Sequence, residues 1–106
     1  MTGLNYEKNI QMIAEVYGED NQLIQMAEEC SELAQAAIKL RNARNDRGAS
    51  AATLRDSAAA LCEEIADVLI MCEQLIYIEG CEGEVRKMIN EKLARQRERM
   101  KAVSGE

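Results

Sequence analysis

Hydrophobic residues recur every three or four positions through most of the chain, which is the spacing of amphipathic α-helices. The pattern predicts four helices, over residues 4–17, 21–43, 53–79 and 84–101. Gly18 ends the first helix, Asp20 is the expected N-cap of the second, and Gly80 and Gly83 bracket the last turn. The pattern therefore predicts an all-α, four-helix, bundle-like single domain over residues 1–106, with a core at about 4–101 and a frayed tail at 102–106.

Each helix has one apolar stripe that we expect to face inward. The stripe of the second helix, centred near Cys30 and Ala34, is Leu23, Met26, Ala27, Cys30, Leu33, Ala34, Ala37 and Ile38. The stripe of the third, centred near Leu61 and Cys72, is Leu54, Ala58, Leu61, Ile65, Val68, Cys72, Leu75 and Ile76. The fourth turns Val85, Met88, Ile89 and Leu93 inward. A chain this short has more apolar faces than it can bury alone, so we expect a homodimer or homotetramer.

Composition narrows the class of protein. Hydrophobic residues make up 47% of the 106 residues but aromatic residues only 3%, so the core must be aliphatic. The net charge of -6 argues against a general nucleic-acid binder. The sequence contains no signal peptide and no apolar run of about 18 residues, which predicts a cytoplasmic protein without a membrane partner. The four cysteines show no paired CxxC spacing and are expected to be free, small hydrophobic residues.

Two short acidic motifs carry the chemistry. Glu29 and Glu32 lie three residues apart in the second helix, and Glu64 and Asp67 have the same spacing in the third. Residues at this spacing point to the same side of a helix, at the edge of the apolar stripe in both cases. If the two helices pack together, four carboxylates converge and repel one another unless a cation lies between them. The motifs therefore predict a divalent metal site.

The type of metal follows from the available ligands. The sequence has no histidine, so only carboxylate oxygens converge, and these favour Mg²⁺ or Mn²⁺ over zinc, copper or haem iron. A di-iron carboxylate protein would use Glu-x-x-His pairs and is disfavoured for the same reason. Glu28 and Glu63 lie further round their helices, where they either support the ligands or remain solvated. The alternative for all six acids is an ordinary solvated face.

Basic residues are clustered rather than spread along the chain. Eleven of the thirteen lie in two segments: Lys39, Arg41, Arg44 and Arg47 in the first, and Arg86, Lys87, Lys92, Arg95, Arg97, Arg99 and Lys101 in the second. A solvated helix face explains any one of them, but as a set they suit an anionic ligand held over the metal. Mg²⁺ bound by a few carboxylates keeps positions for water and phosphate oxygens. The two observations together point to phosphate chemistry.

These motifs resemble the MazG-like branch of the all-α nucleoside triphosphate pyrophosphohydrolases. The resemblance covers about residues 20–100 and rests on the strings at 25–33 and 63–71 around the acidic motifs, and at 90–96. It implies Mg²⁺-dependent cleavage of a (d)NTP to the (d)NMP and pyrophosphate, as nucleotide-pool housekeeping. The 31 residues between Glu32 and Glu64 are many for the family and predict an extended loop around 44–53.

The resemblance also implies roles for individual residues. Glu29, Glu32, Glu64 and Asp67 would hold one or more Mg²⁺ ions, and one of the four would act as the base. The phosphate-binding residues would be Asn90, Lys92 and Arg95, with Lys39 as a weaker candidate. Tyr6, Ile10 and Ile13 of the first helix could form an apolar slot for the purine or pyrimidine ring of the substrate.

Several alternatives stay open at this point. The acids could belong to a non-catalytic helical dimerisation or adaptor module. Within the enzyme reading, the substrate could be phosphoribosyl-ATP, dUTP or dCTP rather than a broad set of nucleotides. The sequence leaves open the number of metal ions, which carboxylate is the base, and whether one chain completes the site.

Overall fold

A computed structural model of the chain describes residues 4–105 and consists of four α-helices. They are α1 (Leu4–Tyr17), α2 (Glu19–Asn45), α3 (Ala51–Glu79) and α4 (Glu82–Ser104). The described residues contain no strand, so the prediction of an all-α chain with four helices is confirmed. Residues 1–3 and 106, which belong to the predicted single domain and its tail, lie outside the described residues.

The connection between α2 and α3 is shorter than the sequence suggested. Both helices extend into the predicted 44–53 segment, and only residues 46–50 remain as a loop. α3 begins early because Ser50 caps it: its Oγ accepts a hydrogen bond from the Thr53 N–H at 3.0 Å. The expectation of an extended loop is therefore wrong, and longer helices account for the spacing between the two acidic motifs.

Glycine residues determine two other helix boundaries. Gly18 has a φ of 84°, and α2 begins at the next residue, so Asp20 lies inside the first turn instead of capping it. Gly80 ends α3 in the left-handed conformation with a φ of 62°, as C-terminal glycines commonly do. α4 begins at Glu82, so Gly83 is helical. α4 continues to Ser104, and residues 102–104 of the predicted frayed tail are helical.

The antiparallel pair α2–α3 forms the centre of the fold. Gln22, near the start of α2, donates a hydrogen bond from Nε2 to Oε1 of Gln74, near the end of α3, at 2.6 Å. α1 packs against this pair through Ile10 and Ala14, which are buried. The hydroxyl of Tyr77 on α3 donates a hydrogen bond to Oε1 of Glu15 on α1, which fixes one end of the contact between α1 and α3. Three of the four helices therefore form the packed part of the chain.

The fourth helix does not close a bundle. Among the described helices α4 lies beside α3 alone, and none of its residues is buried. Met88, Ile89 and Leu93, expected to face inward, expose 56%, 51% and 63% of their surface. Their predicted burial is wrong for a single chain, because α4 leaves the α3 terminus without lying back on α2.

The apolar stripes of α2 and α3 do not form the contact between these helices. None of the sixteen residues predicted to face inward is buried; the buried side chains are Gln22, Ala36 and Leu40 of α2 and Ser57, Met71 and Gln74 of α3. At about 100° per residue, the contact line lies roughly 100° round each helix from the middle of the predicted stripe. The sequence periodicity was right, but its assignment to the interior was not.

None of the described helices is both long enough and apolar enough to cross a membrane.

Candidate metal centre

The rotation of α2 and α3 brings acidic residues into the line where the helices meet. At about 100° per residue, the buried side chains of α2 centre within about 10° of Glu29, and those of α3 within about 30° of Glu64. Asp67 lies one turn after Glu64. One carboxylate oxygen from each of these three half-buried residues lies within 4.8 Å of the others. The two sequence motifs therefore meet across the helix pair.

Two carboxylate oxygens of these acidic residues are buried and form no hydrogen bond with the described residues. Oε2 of Glu29 and Oε2 of Glu64 are inaccessible to solvent, and neither has a hydrogen-bond partner among the described residues. A buried carboxylate oxygen is nearly always hydrogen-bonded, paired with a cation or bound to a metal, because burying an unpaired charge is costly. One such oxygen on each of two facing helices fits the donor set of a hard divalent cation.

The cluster is also electrostatically strained. Burial raises the pKa of Glu64 above the usual carboxyl range, and the nearby charges of Glu32, Asp67 and Glu29 raise it further. When Glu64 is protonated it can share this proton with the carboxylate of Glu32, which also raises its pKa. The site therefore favours either a proton or a cation in its centre.

One amide holds a ligand candidate in place. Gln25, one turn before Glu29 on α2, donates a hydrogen bond from Nε2 to Oε1 of Glu29 at 2.9 Å. This bond uses one oxygen of the carboxylate and leaves the other, Oε2, buried without a hydrogen-bond partner among the described residues. Partners of this kind commonly orient metal ligands. The sequence interpretation assigned no role to Gln25, although its spacing of four residues before Glu29 was a usable signal.

The remaining predicted acids lie at different distances from the cluster. Glu32 is exposed and contributes no oxygen to the group of three, yet it is close enough to act on the pKa of Glu64. Glu28 and Glu63 are exposed and also lie outside the group. The structure thus brings Glu29, Glu64 and Asp67 together, places Glu32 beside them, and leaves Glu28 and Glu63 on the surface.

The predicted phosphate-binding residues are not gathered around the acids. Lys39 is exposed on α2, two turns after Glu32. Asn90, Lys92 and Arg95 are exposed on α4, which makes no contact with α2 in the described part of the chain. Lys92 and Arg95 line a shallow groove along α4 together with Gln96 and Arg99. Their role at the acidic cluster stays a prediction.

A second cavity lies between α1 and the end of α3. It has a volume of about 400 Å³ and is lined by Tyr6, Glu7, Ile10, Gln11, Glu73, Ile76, Tyr77, Gly80 and Glu82. Two of the three residues proposed as a slot for the base, Tyr6 and Ile10, are among them, but Ile13 is not. Three carboxylates line this cavity and would repel a polyphosphate, so it does not suit the phosphate end of a nucleotide.

Comparison with known proteins gives no family for the chain. No family model, curated protein or solved structure matches it.

Proposed function

We propose that the protein is a Mg²⁺-dependent nucleoside triphosphate pyrophosphohydrolase that cleaves a (d)NTP to the (d)NMP and pyrophosphate. Mn²⁺ is the natural substitute ion. The observation that carries the proposal is the pair of unpartnered, buried oxygens, Oε2 of Glu29 and Oε2 of Glu64, within the cluster that Asp67 completes. The resemblance of the acidic motifs to the MazG-like enzymes supplies the reaction.

The cation would relieve a cost that the fold otherwise carries. Three carboxylates within 4.8 Å repel one another strongly where water is excluded. Protonating Glu64 relieves only part of this repulsion. A divalent ion bound by Glu29, Glu64 and Asp67 would neutralise the cluster and give both orphaned oxygens a partner. The sequence offers these oxygens no histidine as a neighbour, so the ligand set is hard and suits Mg²⁺.

The residues of the chain divide the work of hydrolysis. Bound Mg²⁺ would supply charge neutralisation at phosphate oxygens and coordinated water of lowered pKa. Glu29, held by Gln25, fixes the position of the ligand set on α2, and Glu64 with Asp67 fixes it on α3. Glu32 lies beside Glu64 but outside the group of three, so its carboxylate is free to accept a proton from the attacking water. Lys39, Asn90, Lys92 and Arg95 are the proposed phosphate-binding groups.

The proposal also covers the cellular location, the partners and the assembly of the enzyme. Its substrate belongs to the nucleotide pool of the cytoplasm, and it needs neither nucleic acid nor a membrane as a partner. The net charge of -6 supports the first of these exclusions. Assembly into a homodimer or homotetramer is part of the proposal, because α4 presents apolar side chains that a single chain leaves exposed.

The test is pyrophosphate release from a panel of NTPs and dNTPs in Mg²⁺, with dUTP, dCTP and phosphoribosyl-ATP included to identify a specialist. We expect Glu64→Gln to lower kcat/KM for the preferred substrate by at least about 100-fold, because loss of a ligand's supporting group alone typically costs 10–100-fold. Glu63→Gln, which removes the same charge from the adjacent exposed position, should keep near wild-type activity. Full activity in Glu64→Gln would refute the mechanism.

A non-catalytic helical adaptor is the second candidate, and the uncovered α4 favours it. None of the residues of α4 is buried, and Met100 and Val103 expose 66% and 90% of their surface. An adaptor would turn over no nucleotide in the panel. It would also gain no thermal stability from Mg²⁺ together with a non-hydrolysable triphosphate, whereas the enzyme would gain stability from both.

A further inference from the structure

The cavity between α1 and the end of α3 is separate from the metal centre. Glu73, which lines the cavity, comes nine residues after Glu64 on α3. At about 100° and 1.5 Å per residue, the two side chains start from opposite sides of the helix, about 14 Å apart along its axis. The volume of about 400 Å³ lies within the range of small-molecule sites. The cavity can therefore hold a ligand of its own while the metal centre is occupied.

The lining of the cavity is acidic and has no cation of its own. The carboxylates are Glu7 of α1, Glu73 of α3 and Glu82 of α4, and none of the described residues that line the cavity is Lys or Arg. Glu82 pairs with Arg86 at 3.0 Å, whereas Glu7 and Glu73 form no ion pair within residues 4–105. The cavity therefore attracts positive charge and offers two carboxylates to pair with it.

The arrangement of these carboxylates does not suit a metal ion. They come from three helices, and within the described chain the one group of three acidic residues whose oxygens lie within 4.8 Å of one another is Glu29, Glu64 and Asp67. A metal ion needs several oxygens around a single point. Charges that are spread around a cavity instead suit a ligand whose positive groups are held apart by a chain.

Two tyrosines and two isoleucines share the lining with the carboxylates. Ile10 is buried, and Ile76 and Tyr6 are half-buried, so the wall offers apolar surface to a hydrocarbon chain. The rings of Tyr6 and Tyr77 attract ammonium groups to their faces. Burial raises the pKa of the Tyr6 hydroxyl above its ordinary value, and the charge of Glu73 raises it further. A carboxylate and an aromatic ring are therefore close together in the cavity.

We propose that this cavity binds an aliphatic diamine or polyamine. The ammonium groups of the ligand pair with Glu7 and Glu73 and contact the rings of Tyr6 and Tyr77, while its methylene chain lies against the two isoleucines. Such a ligand neutralises both unpaired carboxylates without requiring them to converge. The site goes beyond the proposed hydrolysis, since it needs neither a metal ion nor a nucleotide.

The ligand class is tested by titration calorimetry of the full chain in metal-free buffer, with putrescine and spermidine as probes. We expect saturable one-to-one binding. Butylamine has the same four-carbon chain as putrescine but one ammonium group, and it should bind at least about 10-fold more weakly than putrescine. Equal affinity for putrescine and butylamine, or no saturable binding of either polyamine up to about 10 mM, would overturn the proposal.

Variants of the lining assign the binding to the cavity. Glu7→Gln/Glu73→Gln should raise the Kd for putrescine about 10-fold, and Tyr6→Leu should raise it about 3-fold. Glu28→Gln/Glu63→Gln is the matched control, because it removes the same charge from exposed positions outside the cavity. An equal loss of affinity in this control would mean that only the net charge attracts the amine, and would overturn the site. Circular dichroism checks that each variant remains helical.

The metal centre is the other acidic place where a diamine could bind, and a second variant separates the two. Glu29→Gln/Glu64→Gln should keep the wild-type affinity for putrescine. Loss of putrescine binding in this variant, together with normal binding in Glu7→Gln/Glu73→Gln, would place the amine at the metal centre and overturn the cavity site. The titrations use neither Mg²⁺ nor a nucleotide, so the amine site can fail while the proposed enzyme stands, and the reverse also holds.

Discussion

The α2–α3 contact contains polar side chains at two positions along the helices, and they differ in their hydrogen bonding. We call the Gln22–Gln74 pair the satisfied level and the Glu29–Glu64 pair the unsatisfied level. At one end, Gln22 and Gln74 are almost fully buried, their amides are joined at 2.6 Å, and Gln74 also donates to the sulfur of Met71. In the middle, Glu29 and Glu64 each keep a buried oxygen without a partner. A satisfied polar pair holds two helices in register, whereas an unsatisfied one is a place for a ligand. Gln22 and Gln74 therefore stabilise the fold, whereas Glu29 and Glu64 belong to the metal site that we propose.

The largest expected effect is stabilisation by the ion at the unsatisfied level. Mg²⁺ at 100 times its Kd should add about 2.7 kcal/mol to the free energy of unfolding. For a domain of about this size that corresponds to a rise in Tm of about 10 °C or more. The double variant Glu29→Gln/Glu64→Gln should show no such rise in a thermal melt. Glu28→Gln/Glu63→Gln removes the same charge from exposed neighbours and should respond like wild type; equal responses in both variants would remove the cluster from the binding site.

The next effect concerns the satisfied level. Gln74→Leu leaves the amide of Gln22 buried without its partner and should lower the free energy of unfolding by about 1–3 kcal/mol, measured by urea denaturation. The double variant Gln22→Leu/Gln74→Leu removes both polar groups and should recover most of the loss. If the double variant is no more stable than the single one, packing rather than hydrogen bonding explains the pair.

A smaller effect on Mg²⁺ binding is expected from the amide of Gln25, which is hydrogen-bonded to Glu29. Gln25→Leu removes the hydrogen bond to Oε1 of Glu29 and should weaken Mg²⁺ binding by about 10-fold in calorimetry, with little change in stability. Gln35→Leu is the control, since Gln35 makes a similar hydrogen bond to Ser31 four residues earlier on an exposed part of the same helix. Unchanged Mg²⁺ affinity in Gln25→Leu would show that Glu29 needs no support.

The smallest effect is on the pH dependence of stability in EDTA. The pKa of Glu64 is raised in the folded chain, so the unfolded chain loses this proton first as the pH rises past its ordinary value of about 4.5. The contribution of Glu64 to stability should therefore fall with rising pH until the folded carboxyl also ionises. The Tm of Glu64→Gln minus that of wild type should therefore grow as the pH rises from 4.5 to 7. The same difference for Glu63→Gln should stay flat, and a flat line for both would contradict a strained cluster.

The sequence was sufficient for the helices because their signals are local. Apolar spacing and the glycine at position 80 act within a turn or two of each boundary. The serine cap at position 50 is equally local but was not predicted, and α3 begins earlier than expected. The rotation of α2 and α3 was not predictable in the same way. The usual inference, that the apolar stripe faces inward, holds when one chain buries its own stripe. Here the small residues Ala36 and Ser57 and the pair Gln22–Gln74 form the contact instead.

The candidate site likewise has one part that local sequence spacing predicts and another that depends on how the helices pack. The spacing of Glu64 and Asp67 is a property of one helix, so their common direction could be predicted from the sequence. Their meeting with Glu29 also depends on the rotation of the two helices about their axes, which the apolar pattern did not predict. The positions of Lys92 and Arg95 depend on the direction that α4 takes after Gly80, which no short pattern in the sequence specifies.

The short loop at 46–50 has a consequence for how the chain folds. It joins two helices whose contacts with each other start next to the loop and extend outward one turn at a time, so little chain entropy is lost at each step. Contacts between residues close in sequence are associated with fast folding. We therefore expect the α2–α3 hairpin to form early, before α1 docks against it. The level of the acidic cluster would then be assembled in the first compact state that the chain reaches.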